Sequence, residues 1–142
     1  MLTLKIGAVL LLAGPAQADP DRIDLLLGSY HVGAQTEFNE VNPGVFVSWD
    51  QVTVGVYANS YGRTSFALAY AFPILQSGEF DLDVFAGVAL YPQNGRNFAL
   101  HAGDWVPMAG IEARYRGLFV QIIPSDGVWA DAIIGFGLTR EW

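Results

Sequence analysis

The chain contains no cysteine and, in 142 residues, only two histidines and a single lysine. Without cysteine no disulfide framework can hold a small exported fold, and two histidines alone make no metal-type Cys/His cluster. The one lysine, Lys5, falls within the first eighteen residues. Residues 19–142 carry six arginines and fourteen acidic residues, a net charge near −8 (six positive, fourteen negative). That balance excludes nucleic acid as a partner, because a phosphate backbone needs a basic surface. Long apolar runs are missing as well. Nowhere after residue 18 do eighteen apolar residues stand in a row, which excludes a membrane-spanning helix.

The first eighteen residues, "MLTLKIGAVLLLAGPAQA", read as a secretory signal peptide. They have one cation, an apolar core from Ile6 to Ala13 too short to span a bilayer, and the small-x-small cleavage site Ala16-Gln17-Ala18. Residues 19–142 then form one exported domain. The chain is 52% hydrophobic and only 15% charged, too apolar for a soluble exported domain. High hydrophobicity without a spanning helix points to an all-β fold, a transmembrane β-barrel of the bacterial outer membrane.

Apolar residues recur with period two. "TSFALAYAF" sets Phe66, Leu68, Tyr70 and Phe72 on one face and Ala67, Ala69 and Ala71 on the other. "FDLDVFAGVAL" and "AIIGFGLTREW" alternate in the same way, and the chain ends on an aromatic, Trp142. Eight antiparallel strands are expected, at about 24–33, 43–49, 51–59, 64–73, 79–91, 105–115, 117–124 and 127–140. Each is near the ~9–11 residues of a tilted spanning strand. A soluble lipocalin-like barrel would need polar outward faces, which these strands lack. Eight being even, both termini lie on the periplasmic side, with short turns at Asp50-Gln51, Pro73 to Gly78 and Arg116-Gly117. The connections 34–42, 59–64, 91–104 and 125–126 face outward. A closed barrel has no free edge to drive association, so a monomer is expected.

The inward positions are short of filler: Gly55, Ala67, Ala69, Ala71, Gly87, Ala89, Gly110, Gly135 and Gly137. Asp81, Asp83, Glu112 and Arg114 are charged inward residues, mainly toward the periplasmic half. The pair Asp81 and Asp83 could suggest acid–base chemistry but is read as an ion network with Arg114. Either the outer half is an apolar slot suited to a hydrocarbon chain, or aromatics such as Phe85, Phe119 and Trp129 fill it; the sequence leaves both open.

Five stretches carry a resemblance. These are "IDLLLGSYH", "FNEVNPGVFVSWD", "VGVYANSYGRTSFALAYAF", "WVPMAGIEARY" and "QIIPSDG". Together they resemble the outer-membrane lipid A palmitoyltransferase family over nearly the whole of residues 19–142, at low overall identity. The resemblance implies an acyltransferase that moves an acyl chain from a phospholipid to lipid A, without a cofactor or metal. It places His31 as the catalytic histidine, and the family's Asp-Ser pair falls on Asn59 and Ser60. It makes Pro107 and Pro124 the breaks in strand pairing through which lipid enters sideways. That expectation has its own physical basis, since proline cannot donate to a β-ladder. Three departures stand out. Aspartate is replaced by Asn59, a second lateral opening keeps Pro43 but has Gly28 opposite it, and the glycine at the interior floor is Ala71. The added methyl of Ala71 implies a chain shorter than palmitate.

In such a reaction His31 is the expected base, and Ser60 either the nucleophile or a donor to the oxyanion. Asn59 would orient the imidazole through its amide oxygen. Arg63 would pair with a lipid phosphate. Asn59 and Ser60 are adjacent, so both can serve one site only if the backbone bends near Gly62. Two other functions fit the same residues. One is an esterase giving the acyl group to water, as a lipid A deacylase or phospholipase; the other is a small barrel without catalysis. His101 is expected at the surface.

Overall fold

A computed structural model describes residues 19–125 and 129–142. The expected signal peptide, 1–18, lies outside the described residues, as do Asp126 of the fourth outer connection and the first positions expected of the last strand. Eight strands run in chain order: β1 (Arg22–Val32), β2 (Val41–Trp49), β3 (Val52–Ala58), β4 (Thr64–Ser77), β5 (Phe80–Leu90), β6 (Trp105–Tyr115), β7 (Leu118–Pro124) and β8 (Ala132–Glu141). Each pairs antiparallel with its neighbours, and β8 returns to β1 to close the barrel. Apart from a 3-10 turn at Gly95–Asn97 there is no helix among the described residues.

One end of the barrel carries the start of β1, the end of β8 and three tight turns; the other carries four connections, L1 (33–40), L2 (59–63), L3 (91–104) and L4 (125–131). The turn at Arg116-Gly117 shows why it can be so short. Both residues have positive φ, 49° and 80°, the backbone a two-residue turn needs to follow the twist of its strands. β4 runs further than expected, to Ser77, because a bulge between Pro73 and Leu75 absorbs the proline while pairing with β5 continues. Proline at a bulge gives up no ladder hydrogen bond.

Alternation sorts the side chains. Phe66, Leu68, Tyr70 and Phe72 of β4 are exposed, as are Val84 and Val88 of β5 and Phe136 and Leu138 of β8, while their neighbours in sequence face the lumen. Small inward residues let the strands and rings approach closely. At Gly55 an added Cβ would meet the Phe46 ring, which takes that volume instead.

The β1 pattern contains a phase change. Asp24 and Leu26 face in, then Gly28 and Ser29 are both buried, and His31 follows inward. The cause is a bulge between Leu26 and Gly28, seen in the pairing with both β2 and β8. Uninterrupted alternation from Asp24 would send His31 to the outside. Glycine is required at that bulge, because a Cβ on Gly28 would lie 2.7 Å from the Glu40 carbonyl oxygen.

At the turn end the lumen is closed by charge. Arg114 donates to Asp83 (2.6 Å), Glu112 (3.0 Å) and Glu141 (2.7 Å) and lies 3.7 Å from Asp81. Arg22 donates to Asp24 at 2.9 Å and approaches Asp83 and Glu112 at 3.9 and 3.5 Å. The sequence pairing of Arg114 with Asp81 and Asp83 is therefore present, inside a wider network of two guanidinium groups and five carboxyl groups. No grouping of three or more acidic or histidine side chains among the described residues has metal-binding geometry.

Candidate active site

At the loop end the chain brings His31 and Ser60 together. His31 stands near the end of β1, its ring almost fully buried, and its Nε2 lies 2.8 Å from Ser60 Oγ. Ser60 sits in L2, just beyond the end of β3 at Ala58. The backbone leaves the strand there: Asn59 N donates to the Arg63 carbonyl and Gly62 N to the Asn59 carbonyl, closing a tight loop in which Gly62 has φ 76°. That bend removes the strand parity which would set Asn59 and Ser60 on opposite faces.

Asn59 does not fill the role expected of it. It is fully buried, its Oδ1 accepts from the backbone N–H groups of Tyr61 and Arg63, and its Nδ2 donates to Ser65 Oγ. An amide that satisfies the L2 backbone in this way organises the loop carrying Ser60, and its oxygen, which already accepts from two backbone N–H groups, is not free to orient the imidazole. The group that faces the other ring nitrogen is Glu40, whose Oε1 is 4.0 Å from His31 Nδ1. Among the described residues Nδ1 is buried and has no hydrogen-bond partner. With a proton on Nδ1 directed toward Glu40, Nε2 is left to accept from the Ser60 hydroxyl. Ser60, His31 and Glu40 thus stand in the order hydroxyl, imidazole and carboxylate, the arrangement of a serine triad. A contact of 4.0 Å is long for a hydrogen bond, yet such contacts commonly tighten only when substrate is bound.

Sequence reasoning missed Glu40. It belongs to the Asn39-Glu40 pair just before β2, and its nearness to His31 depends on the β1 bulge and on how L1 folds back. Three consecutive L1 residues each reach the His31–Ser60 pair. Phe38 stacks on the His31 ring (centroids 4.1 Å apart, planes 16° apart), Asn39 N donates to the Ser60 carbonyl at 2.8 Å, and Glu40 faces Nδ1. Asn42 braces this arrangement from β2. It accepts from Ser29 Oγ at 2.6 Å and donates to the carbonyls of Asn39 and Ala58. One buried amide therefore joins the strand that carries His31, the loop that carries Glu40 and the strand that leads to Ser60.

Below Ser60 the lumen holds a cavity of about 110 Å³, on the order of ten times the space one water needs. Its upper and middle walls include Leu26, Phe46, Tyr57, Ala67, Ala69 and Phe119, and it ends at Arg22, Asp24, Asp83 and Glu112. Phe85 and Phe119 line it without filling it, and Trp129 is elsewhere, half exposed at the L4 rim. Ala71 lines the cavity opposite Phe85, one layer above the Pro73–Asp83 pair where the ionic floor begins.

Pro107 and Pro124 lie on adjacent strands where pairing is lost. β6 and β7 pair only from Ile111↔Ile122 to Tyr115↔Leu118, whereas β6 pairs with β5 all the way to Trp105. From Pro107 to Gly110 on β6, and at Ile123 and Pro124 on β7, no pair across this seam is formed among the described residues. The β1–β2 seam behaves differently. Beyond Pro43 it resumes at Gly28↔Val41 and Ser29 N donates to the Glu40 carbonyl, so Pro43 and Gly28 mark a bulge in a closed seam and not a second opening. Arg63 is exposed on L2, where its backbone N–H donates to Asn59 Oδ1. His101 is exposed in L3. The chain matches no family model, and no curated protein matches it.

Proposed function

We propose that the protein is an outer-membrane lipid acyl-ester enzyme in which Ser60 accepts an acyl chain from a phospholipid and passes it to lipid A. The observation that carries this reading is the 2.8 Å contact between His31 Nε2 and Ser60 Oγ at the head of an apolar lumen, with Glu40 behind the imidazole. His31 takes the Ser60 proton as Oγ attacks the ester carbonyl, then gives it to the departing alcohol oxygen, which leaves an acyl ester on Ser60. An incoming hydroxyl reverses the sequence. Glu40 keeps the proton on Nδ1 and offsets the charge of the transient imidazolium.

Insertion in a bilayer is supported by the exposed apolar side chains that alternate along the strands, with Tyr30 and Trp105 exposed toward the loop end and Tyr115 and Trp142 toward the turn end. Aromatic residues at both rims of an apolar band are what the two membrane interfaces favour. A tail could slide into the wall through the unpaired β6–β7 seam. From the level of Ser65 to that of Ala71 is roughly 16 Å along the barrel axis, for six residues of tilted strand. Below Ala71 the ionic floor disfavours hydrocarbon, so the acyl chain is shorter than palmitate. Arg63, on the same rim as Ser60, is available to a lipid phosphate.

A specific observation favours a second reading, in which water takes the acyl group and the protein is a lipid A deacylase or phospholipase. Glu40 is half exposed, so water reaches the edge of the catalytic set. Mass spectrometry of lipid A from cells with and without the gene separates the two. Gain of one acyl chain supports transfer and loss supports hydrolysis. An unchanged profile, with phospholipids also intact, leaves a barrel without this chemistry.

A further inference from the structure

When a serine hydroxyl attacks an ester, the carbonyl oxygen becomes an oxyanion that a hydrogen-bond donor must meet. The backbone after Ser60 is already committed. The N–H groups of Tyr61 and Arg63 donate to Asn59 Oδ1, and that of Gly62 donates to the Asn59 carbonyl. We infer that the donor is the hydroxyl of Tyr91, aimed by a line of hydrogen bonds that starts at Asn59. The inference rests on the reading of Ser60 as the acyl carrier.

The direction of the line follows from groups that can only donate. Because Asn59 Oδ1 accepts from two backbone N–H groups, the amide orientation is fixed, and Nδ2 is the atom 2.9 Å from Ser65 Oγ. An amide NH2 cannot accept, so Ser65 Oγ does. The Ser65 proton is then free for the hydroxyl of Tyr57, its partner across the β3–β4 ladder, with which it interacts. Tyr57 in turn donates to the Tyr91 hydroxyl at 3.2 Å. Tyr91 stands last, accepting one hydrogen bond and keeping its own O–H. Among the described residues no hydrogen bond donated by Tyr91 is formed, although its side chain is almost fully buried. A buried phenol with an unused donor is costly unless a ligand takes it.

The placement fits the same role. Tyr57, Tyr91 and Ser60 all line the lumen cavity, whereas His31, 2.8 Å from Ser60 Oγ, does not. Base and phenol thus face the serine oxygen from different sides, as a proton acceptor for Oγ and a donor to the carbonyl oxygen must. The Tyr91 ring is held against Phe98 (centroids 4.7 Å apart) and Tyr61 (6.4 Å), the residue next to Ser60. Other polar groups in the lining are engaged or distant. Asn42 donates to two carbonyls, Ser29 donates to Asn42, Thr53 is bonded to Ser48, and Gln121 pairs with Glu112 at the ionic floor.

In the step itself, Ser60 Oγ bonds to the ester carbon as His31 Nε2 takes its proton. The carbonyl electron pair moves onto oxygen, where Tyr91 donates a hydrogen bond and keeps its proton. When the pair returns, the bond to the alcohol oxygen breaks, and the alcohol leaves with the proton from His31. Asn59, Ser65 and Tyr57 are positioning residues for Tyr91. Asparagine at 59 suits this arrangement, since an aspartate has no N–H with which to start the line.

The test uses the full chain refolded in dodecylphosphocholine micelles, with heat-modifiable gel mobility as the check of folding. The donors are p-nitrophenyl laurate and its thiono analogue, in which a sulfur that accepts hydrogen bonds poorly replaces the carbonyl oxygen. Release of p-nitrophenol and mass-spectrometric labelling of Ser60 report acylation. Tyr91→Phe should slow acylation by the oxygen ester roughly 10²-fold and leave the thionoester within about threefold of wild type, as expected for loss of one oxyanion donor. Tyr57→Phe keeps the donor and removes only its support, so it should slow the oxygen ester by about three- to tenfold, the worth of one neutral hydrogen bond, with the thionoester again little changed. Wild-type rates in Tyr91→Phe, equal losses with both esters in either variant, or a larger loss in Tyr57→Phe than in Tyr91→Phe would overturn the Tyr91 assignment, while labelling of Ser60 in the wild type keeps the acyl-carrier reading. A wild type that leaves Ser60 unlabelled removes that reading and the Tyr91 assignment with it.

Discussion

The two ends of this barrel bury polar side chains in opposite ways. At the turn end, two arginines and five carboxyl groups on strands β1, β5, β6 and β8 form a charged network that draws the wall together across the lumen. At the loop end, the buried braces are neutral. Asn42 and Asn59 are amides whose hydrogen bonds go to backbone and hydroxyl groups, and each ties down a segment next to the His31–Ser60 pair. The contrast has a physical reason. A charged network fixes geometry but imposes strong fields, whereas amides fix geometry without adding charge beside an imidazole that, in the proposed reaction, changes protonation. The carboxylate facing His31 is half exposed and 4.0 Å away.

The contrast between the ends can be broken at several points. The largest effect is expected from Ser60→Ala, which should lower acyl-ester cleavage by roughly 10⁴-fold or more, on the order of losses seen when a serine nucleophile is removed, with the heat-modifiable gel mobility of a folded barrel unchanged. Retained turnover would remove Ser60 from the chemistry. Glu40→Gln should reduce kcat by roughly 10²–10⁴-fold with KM little altered, as when a triad carboxylate becomes an amide. If it behaves as wild type, the contact to Nδ1 has no catalytic role.

The turn end should respond in stability. Arg114→Leu leaves Asp83 and Glu112 buried beside a single guanidinium, and the expected loss is roughly 3–5 kcal/mol, as for breaking a buried pair from one side. Urea unfolding in detergent or lipid vesicles measures it. A loss no larger than that of an exposed pair such as Arg116–Glu79, about 0–1 kcal/mol, would show the network to be dispensable. Asn59→Asp sharpens the contrast most finely. It restores the aspartate that the sequence resemblance leads one to expect, yet the side chain must give up its donation to Ser65. We expect no gain in kcat and a loss of about 1–3 kcal/mol from the unmet buried hydrogen bond. A clear rise in activity would return Asn59 to the imidazole.

Much of the fold is legible in the sequence because alternation is a local property. In β4 and β5, apolar and small residues alternate without interruption, and the expected strand limits there lie within a few residues of those found. The exception is instructive: β4 continues past Pro73 because a bulge accommodates the proline, and bulges leave little trace in composition. Ser60 is legible as a candidate because a polar cluster at a hairpin tip stands out in an apolar chain, and His31 because the family resemblance points to it. Glu40 is not, since an acidic residue before a strand has no distinguishing pattern. Asn59 misleads for a related reason, because a residue's type says what it can bond to and not which neighbour claims it.

By itself the sequence determined that these strands must form a closed β structure with an apolar exterior, since period-two patterning and the lack of any long apolar helix leave little else. Only the tertiary structure decided which way His31 points and what stands behind it. One bulge at Gly28 turns that ring inward, and the return of L1 brings Glu40 to it. Both depend on contacts between segments distant in the chain, which no local pattern of residues encodes.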